Sequence, residues 1–343
     1  MISLECDYNN GACSQILQRL LETNDERQPG YGADRYTESA KAKIRTACGC
    51  ETAEVDFLAG GTQTNAVVIS ALLHDFEGVV CASTGHINGH EAGAIEYTGH
   101  KVLALPGEQG KLTAEALRHS LEQFHGDSSR EHMVWPGMVY ISHPTEYGTL
   151  YSKAELSALS AVCRKYRIPL YLDGARLGYG LMSPEAELTL QDIAELCDVF
   201  TIGGTKVGAL CGEALVFTRV KRPDHFTNTV KKRGALLAKG RLVGLQFDTL
   251  FTDDLYFRLG EHGIRMAERM KRILRERGFS FFLETPTNQQ FILMEDKRLA
   301  PFSEKVSFSY WEKADEEHTV IRLATSWATT DEELDELAAA LNF

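Results

Sequence analysis

The chain has 343 residues, 43% of them hydrophobic and 24% charged, with 36 Lys and Arg against 48 Asp and Glu. Roughly two domains of ~150 residues fit in that length, and the composition excludes a disordered chain, a collagen and a disulfide scaffold. A net charge of -12 disfavours nucleic acid or an anionic membrane as the main partner, because their phosphates repel an acidic chain.

The N-terminal run MISLECDYNN has neither a basic n-region nor an apolar h-region, so a cytoplasmic protein is expected. No apolar run of ~18 residues occurs; Lys206 and Glu213 interrupt the most apolar stretch. Cys48-Gly49-Cys50 has no second pair at zinc-finger spacing, and Cys81, Cys163, Cys197 and Cys211 lie in apolar runs. No metal site is expected, and these thiols suit a core.

From residue 52 to 217, short β-branched runs alternate with longer amphipathic stretches. Strands are predicted at 54–60, 79–83, 101–106, 138–142, 168–173, 199–204 and 213–217. Helices are predicted from Thr62 and over 90–97, 113–124 and 153–166. Such alternation implies right-handed crossovers and a mainly parallel α/β sheet flanked by helices, with ligands beyond the carboxyl ends of its strands. Beyond about residue 250 the pattern changes. A charged helix over 254–277 precedes SFFLE, QQFILME, VSFSYWE and TVIRLATS, and a last helix starts at 330. The alternating polar and apolar residues there suit an antiparallel sheet. The expected division is a large α/β domain over 1–250 and a small C-terminal α+β domain over 251–343.

Four segments carry chemistry. Leu58-Ala59-Gly60-Gly61-Thr62 ends a strand on two glycines and a hydroxyl as a helix begins. Backbone N–H groups there can meet an anion, although a simple capped turn reads the same way. In Leu172-Asp173-Gly174-Ala175-Arg176, Asp173 closes an apolar strand, where a carboxylate is costly without a cationic partner. Ala175 is small enough for a planar ring to lie against the chain, and Arg176 offers a fork for a carboxylate or phosphate, or for an internal salt bridge. Lys206 stands among Gly203, Gly204 and Gly208. It suits a Schiff base with a carbonyl compound, or a lysine snorkelling to the surface. Finally, His86 follows the strand ending at 83 and can stack on a ring, while His90 can cap a helix.

An anion turn, a strand-end acid and a loop lysine match the phosphate, the pyridine nitrogen and the aldehyde of pyridoxal phosphate. The wording of GGTQTN, TGHINGHEAGA, YLDGARLG and the Lys206 loop resembles the threonine aldolase/β-eliminating lyase family of fold-type I pyridoxal-phosphate enzymes. The resemblance runs from CDYNNGA to RLATSWATTDEELD. It implies Gly61 and Thr62 on the phosphate, His86 over the ring, Asp173 at the pyridine nitrogen and Lys206 on the aldehyde. It also implies Arg322 on the substrate carboxylate, with Arg176 assisting, and Arg241 or Arg233 on the cofactor of a neighbouring subunit, hence a homodimer or homotetramer with shared active sites. This chain departs from the family in two places. Cys6 precedes Asp7 where the family has serine, and Glu146 falls where typical members carry a second histidine, with His143 three residues away.

The activity so implied is cleavage of a β-hydroxy-α-amino acid of the threonine type to glycine and an aldehyde. His86, His90 or Glu146 would take the β-hydroxyl proton. The alternatives are β-elimination or amino transfer on another small amino acid, and, more remotely, a non-catalytic relative.

Overall fold

The structure is a computed structural model and describes residues 1–341. Its first strand, β1 (Ile2–Ser3), precedes seven that make the main sheet: β2 (Glu54–Leu58), β3 (Glu77–Ala82), β4 (Val102–Leu105), β5 (Trp135–Ser142), β6 (Leu170–Asp173), β7 (Val199–Gly203) and β8 (Glu213–Phe217). Their order is β2-β8-β7-β6-β5-β3-β4. Only β8 runs against its neighbours. These runs are apolar at nearly every position because helices cover both faces, leaving no wet side to impose alternation.

Helices form where the sequence supplies both a cap and an apolar stripe. Lys153–Tyr166 opens on a capping box in which Ser152 and Glu155 satisfy each other's backbone N–H groups, and Thr113 caps Ala114–Gly126. Helix Gly61–Leu72 begins beside Thr62. The stretch 90–97 is not the expected helix. The chain instead makes a helical turn over His86–Gly89 and a 3-10 turn over Glu96–Thr98. Ala92 and Gly93 take φ of 51° and 74°, a left-handed pair that stops α-helix propagation. Helices at Ser14–Glu22, Arg35–Cys48, Leu190–Leu196, Phe226–Lys232 and Arg241–Leu250 add to those expected.

The C-terminal part is an antiparallel sheet of β9 (Ser280–Leu283), β10 (Gln289–Glu295), β12 (Ser309–Lys313) and β13 (His318–Ala324), in the order β12-β13-β10-β9. The short β11 (Val306–Ser307) pairs with β1 in parallel as a separate two-stranded sheet, and the core of this C-terminal part takes in Ile2 and Leu4.

Helix Leu255–Glu276 joins the two sheets. Gly260 lets it approach Leu177–Leu181 closely, since a Cβ there would sit 2.4 Å from the Gly178 carbonyl oxygen. Beside this contact, the buried Tyr179 hydroxyl donates to the Lys206 carbonyl (2.6 Å) and accepts from the Trp327 amide (3.1 Å). Tyr179→Phe leaves both groups without that partner and is expected to cost about 1–3 kcal/mol of unfolding free energy in urea denaturation.

Candidate active site

Strands β2, β3, β5, β6 and β7 share one direction, so their carboxyl ends meet along one edge of the sheet. The segments that follow them bring Gly61, His86, Glu146, Asp173 and Lys206 to the walls of one cavity. A wider cleft shares His86, Glu146, Arg176 and Lys206 with it and continues out to Tyr8, Trp311 and Arg322.

Asp173 lies at the end of β6. Its Oδ2 accepts from the Tyr140 hydroxyl (2.8 Å) and Asn65 Nδ2 (3.0 Å), and its Oδ1 accepts from the Ala175 amide (2.9 Å). Neutral donors, not the expected cation, satisfy this carboxylate within the chain. Burial and the Asp173 charge push the Tyr140 phenol well above its usual range, which keeps it a donor. Asn65 is itself held by the Tyr171 hydroxyl, which donates to its Oδ1 at 2.6 Å.

His86 is set by two acids. Its ring Nδ1 lies 2.8 Å from Glu91 Oε1, and its backbone amide donates to Glu146 Oε1 at 2.7 Å. Burial opposes a charge on the ring, but the Glu91 hydrogen bond and the Asp173, Glu91 and Glu146 charges outweigh it and raise the pKa. Glu146 also accepts from Ser142 Oγ at 2.6 Å. Its pKa is raised by burial, against the pull of those hydrogen bonds. His143 turns away from the cavity into the protein, where Nδ1 accepts from the Tyr151 amide (3.3 Å) and burial lowers its pKa to about 4. Glu146, not His143, therefore faces the site. His90 is exposed at the outer cleft, with its ring centroid 5.8 Å from that of His86 and 6.2 Å from that of Trp311.

The arginines divide into two sets. Arg176 is committed through Nε and Nη2 to the Asp7 carboxylate, at 2.7 and 2.9 Å. The internal salt bridge foreseen for this fork thus has Asp7 as its partner. Arg322 on β13 reaches the outer cleft and donates to the Glu5 carbonyl, Ser309 Oγ and Gln289 Oε1. Cys6 sits beside these groups, but its neighbour Tyr8 is the residue lining the cleft. Within one chain, Arg241 binds the carbonyls of Thr23, Asn24 and Glu26, and Arg233 binds that of Thr98. Neither lines these two cavities.

The cavity fits pyridoxal phosphate. Nothing lies within 4 Å of where a Cβ would stand on Gly60 or Gly61, so the first turn of the 12-residue helix faces open space with no side chain capping it. Thr62 is exposed beside it, Asp173 and Ala175 line the same cavity, and Lys206 stands at the passage to the outer cleft.

Sequence reasoning left Asp7, Asn65, Glu91 and Tyr140 without roles. Asn65 and Glu91 stand inside the quoted GGTQTN and HEAGA segments, so position within those motifs was an available signal. Nothing local marks Tyr140 or pairs Asp7 with Arg176, 169 residues away.

The main fold is also that of a mutant aspartate aminotransferase of Thermus thermophilus, with a TM-score of 0.71 at 14% identity over 99% of this chain and 95% of the other. It is a fold-type I architecture. The chain belongs to the beta-eliminating lyase family, whose model matches residues 6–296. It is similar to a threonine aldolase of Leishmania major, with 39% identity, a TM-score of 0.95 and coverage of 99% of this chain and 98% of the other. A low specificity L-threonine aldolase of Pseudomonas aeruginosa is 29% identical over 97% of this chain and 94% of its own length.

The Asp7–Arg176 pair supplies a stability test. Asp7→Ala strands a buried guanidinium and is expected to cost about 3–5 kcal/mol in chemical denaturation. Burial raises the Asp7 pKa, but Arg176 overcomes it and the net shift is down from 3.8. The pair's contribution is therefore complete above the ordinary carboxylate range and is lost as pH falls through the folded value.

Proposed function

We propose that this chain uses pyridoxal phosphate to cleave a β-hydroxy-α-amino acid of the threonine type into glycine and an aldehyde. The observation that carries this reading is the meeting of Asp173, Lys206, His86 and the Gly61–Thr62 turn around one cavity. Similarity to threonine aldolases over nearly the whole chain supports it.

Gly61 and Thr62 would hold the phosphate, Asp173 the pyridine nitrogen and Lys206 the aldehyde carbon, with His86 and Ala175 against the ring. When bound, the cofactor supplies an electron sink for the pair released by the broken Cα–Cβ bond. Tyr140, Asn65 and the Ala175 amide fix the Asp173 carboxylate, which would hold it in place for the ring nitrogen. Arg322 would exchange its present carbonyl and hydroxyl partners for the substrate carboxylate, a stronger charge-assisted contact. Arg176, clamped on Asp7, would assist by steadying the wall beside it.

Glu146 would accept the β-hydroxyl proton. It is buried at the junction of the two cavities, and its raised pKa brings a carboxylate closer to the basicity the step needs. His86 shares that junction, and the exposed His90 would relay the proton outward through the outer cleft. Cys6 would stand beside the carboxylate site. A homodimer or homotetramer, cytoplasmic in location, would bring Arg241 or Arg233 of a neighbouring copy to the phosphate.

Product analysis by NMR with L-threonine tests the reading. Glycine and acetaldehyde are expected, whereas a keto acid with ammonia would reassign the chain as an eliminating enzyme. Lys206→Ala is expected to abolish turnover in a folded protein. Glu146→Gln is expected to lower kcat by about 10²–10⁴-fold with a much smaller change in KM. A full rate in either variant removes that residue from its role.

A further inference from the structure

Glu213 is a buried carboxyl that the scheme above does not use. As the first residue of β8, the strand that runs against its neighbours, it lies opposite Leu58 on one side and Gly203 on the other. Those residues end β2 and β7, the strands that lead into the Gly61–Thr62 turn and the Lys206 loop. A side chain at this register position stands between the anion turn and the lysine.

Its hydrogen bond falls on the turn that carries the lysine. Thr205, the residue before Lys206, donates from Oγ1 to Glu213 Oε1 at 3.0 Å. The same hydroxyl accepts from the Gly212 amide at 3.0 Å, and the amides of Gly204 and Thr205 both donate to the Gly212 carbonyl. Glu213 thus braces the turn that carries the lysine. Its second oxygen, Oε2, is buried without a hydrogen-bond partner, although Glu213 is only 3% exposed. An ionised carboxylate with a bare oxygen is unfavourable there unless a cation stands near.

The charged and titratable groups facing it are Lys206 on the loop, Asp173 and Tyr171 on β6, and Tyr256 on the long helix. Burial lifts the Glu213 pKa to about 8; Lys206 draws it down and Asp173 pushes it up.

We propose that Glu213 is a positioning residue for Lys206. Through Thr205 it holds the lysine turn in place, and in its ionised state its negative charge favours positive charge on the lysine nitrogen. The inference rests on the cofactor reading above.

The visible absorbance of the cofactor-loaded protein, titrated with pH, tests it. The carboxylate favours the positively charged form of the lysine nitrogen. Glu213→Gln is therefore expected to move the band's midpoint to lower pH by about 1 unit. Thr205→Val is expected to release cofactor faster on dialysis. If Glu213→Gln does not fold, Glu213→Met fills a similar volume without charge and carries the same expectation for the midpoint. Borohydride reduction followed by peptide mapping locates the attachment. A band held on Lys206 with an unchanged midpoint overturns the role of Glu213 alone. A wild-type protein with no cofactor on Lys206 overturns the lysine reading, and this inference with it.

Discussion

A carboxylate at the end of an apolar strand constrains much of this structure. Asp173 closes β6 deep in the sheet, where water is scarce and an unsatisfied charge is costly. The hydroxyl of Tyr140, the amide of Asn65 and the backbone N–H of Ala175 surround it. Each donor comes from a different part of the chain, so the strand order must be right before the acid is tolerable.

From this anchor the network spreads. Asn65 Nδ2 also donates to Glu91 Oε1 at 2.7 Å, and that oxygen lies 2.8 Å from the His86 ring. His86 in turn gives its backbone amide to Glu146. Acids and their neutral donors thus form one continuous wall, while Lys206 enters from the opposite side on the loop after β7. Low dielectric strengthens each of these bonds and makes a missing partner costly, so the side chains are confined to narrow positions. The outer cleft is built differently, with Trp311 packed edge-on against Phe291 and Tyr147 and with Arg322 over its ring at 5.8 Å. That part belongs to the antiparallel sheet, so the two layers contribute distinct chemistry to one opening.

Much of the fold was legible because its signals are local. Short β-branched runs gave the seven strands of the main sheet, and the Ser152–Glu155 box marks the start of its helix as a sequence pattern. The stretch 90–97 misled because its composition is helical while Ala92 and Gly93 adopt left-handed backbone. The N-terminal strand was not foreseen at all. Two residues, Ile2 and Ser3, pair with Val306 and Ser307 at the far end of the chain, and no periodicity can announce so short a contact.

The sequence alone determined the alternation of strands and helices, the glycine turn before Thr62, the acid ending β6 and the lysine among glycines. Residue type and immediate neighbours suffice for those, since backbone freedom, capping and burial act over a few positions. Tertiary structure decided the partners. Asp7 takes the Arg176 fork, Glu146 faces the cavity in place of His143, and Glu213 comes to rest beside the lysine turn. Each depends on which strands lie side by side, and pairing energies between distant segments leave no mark on either segment read by itself.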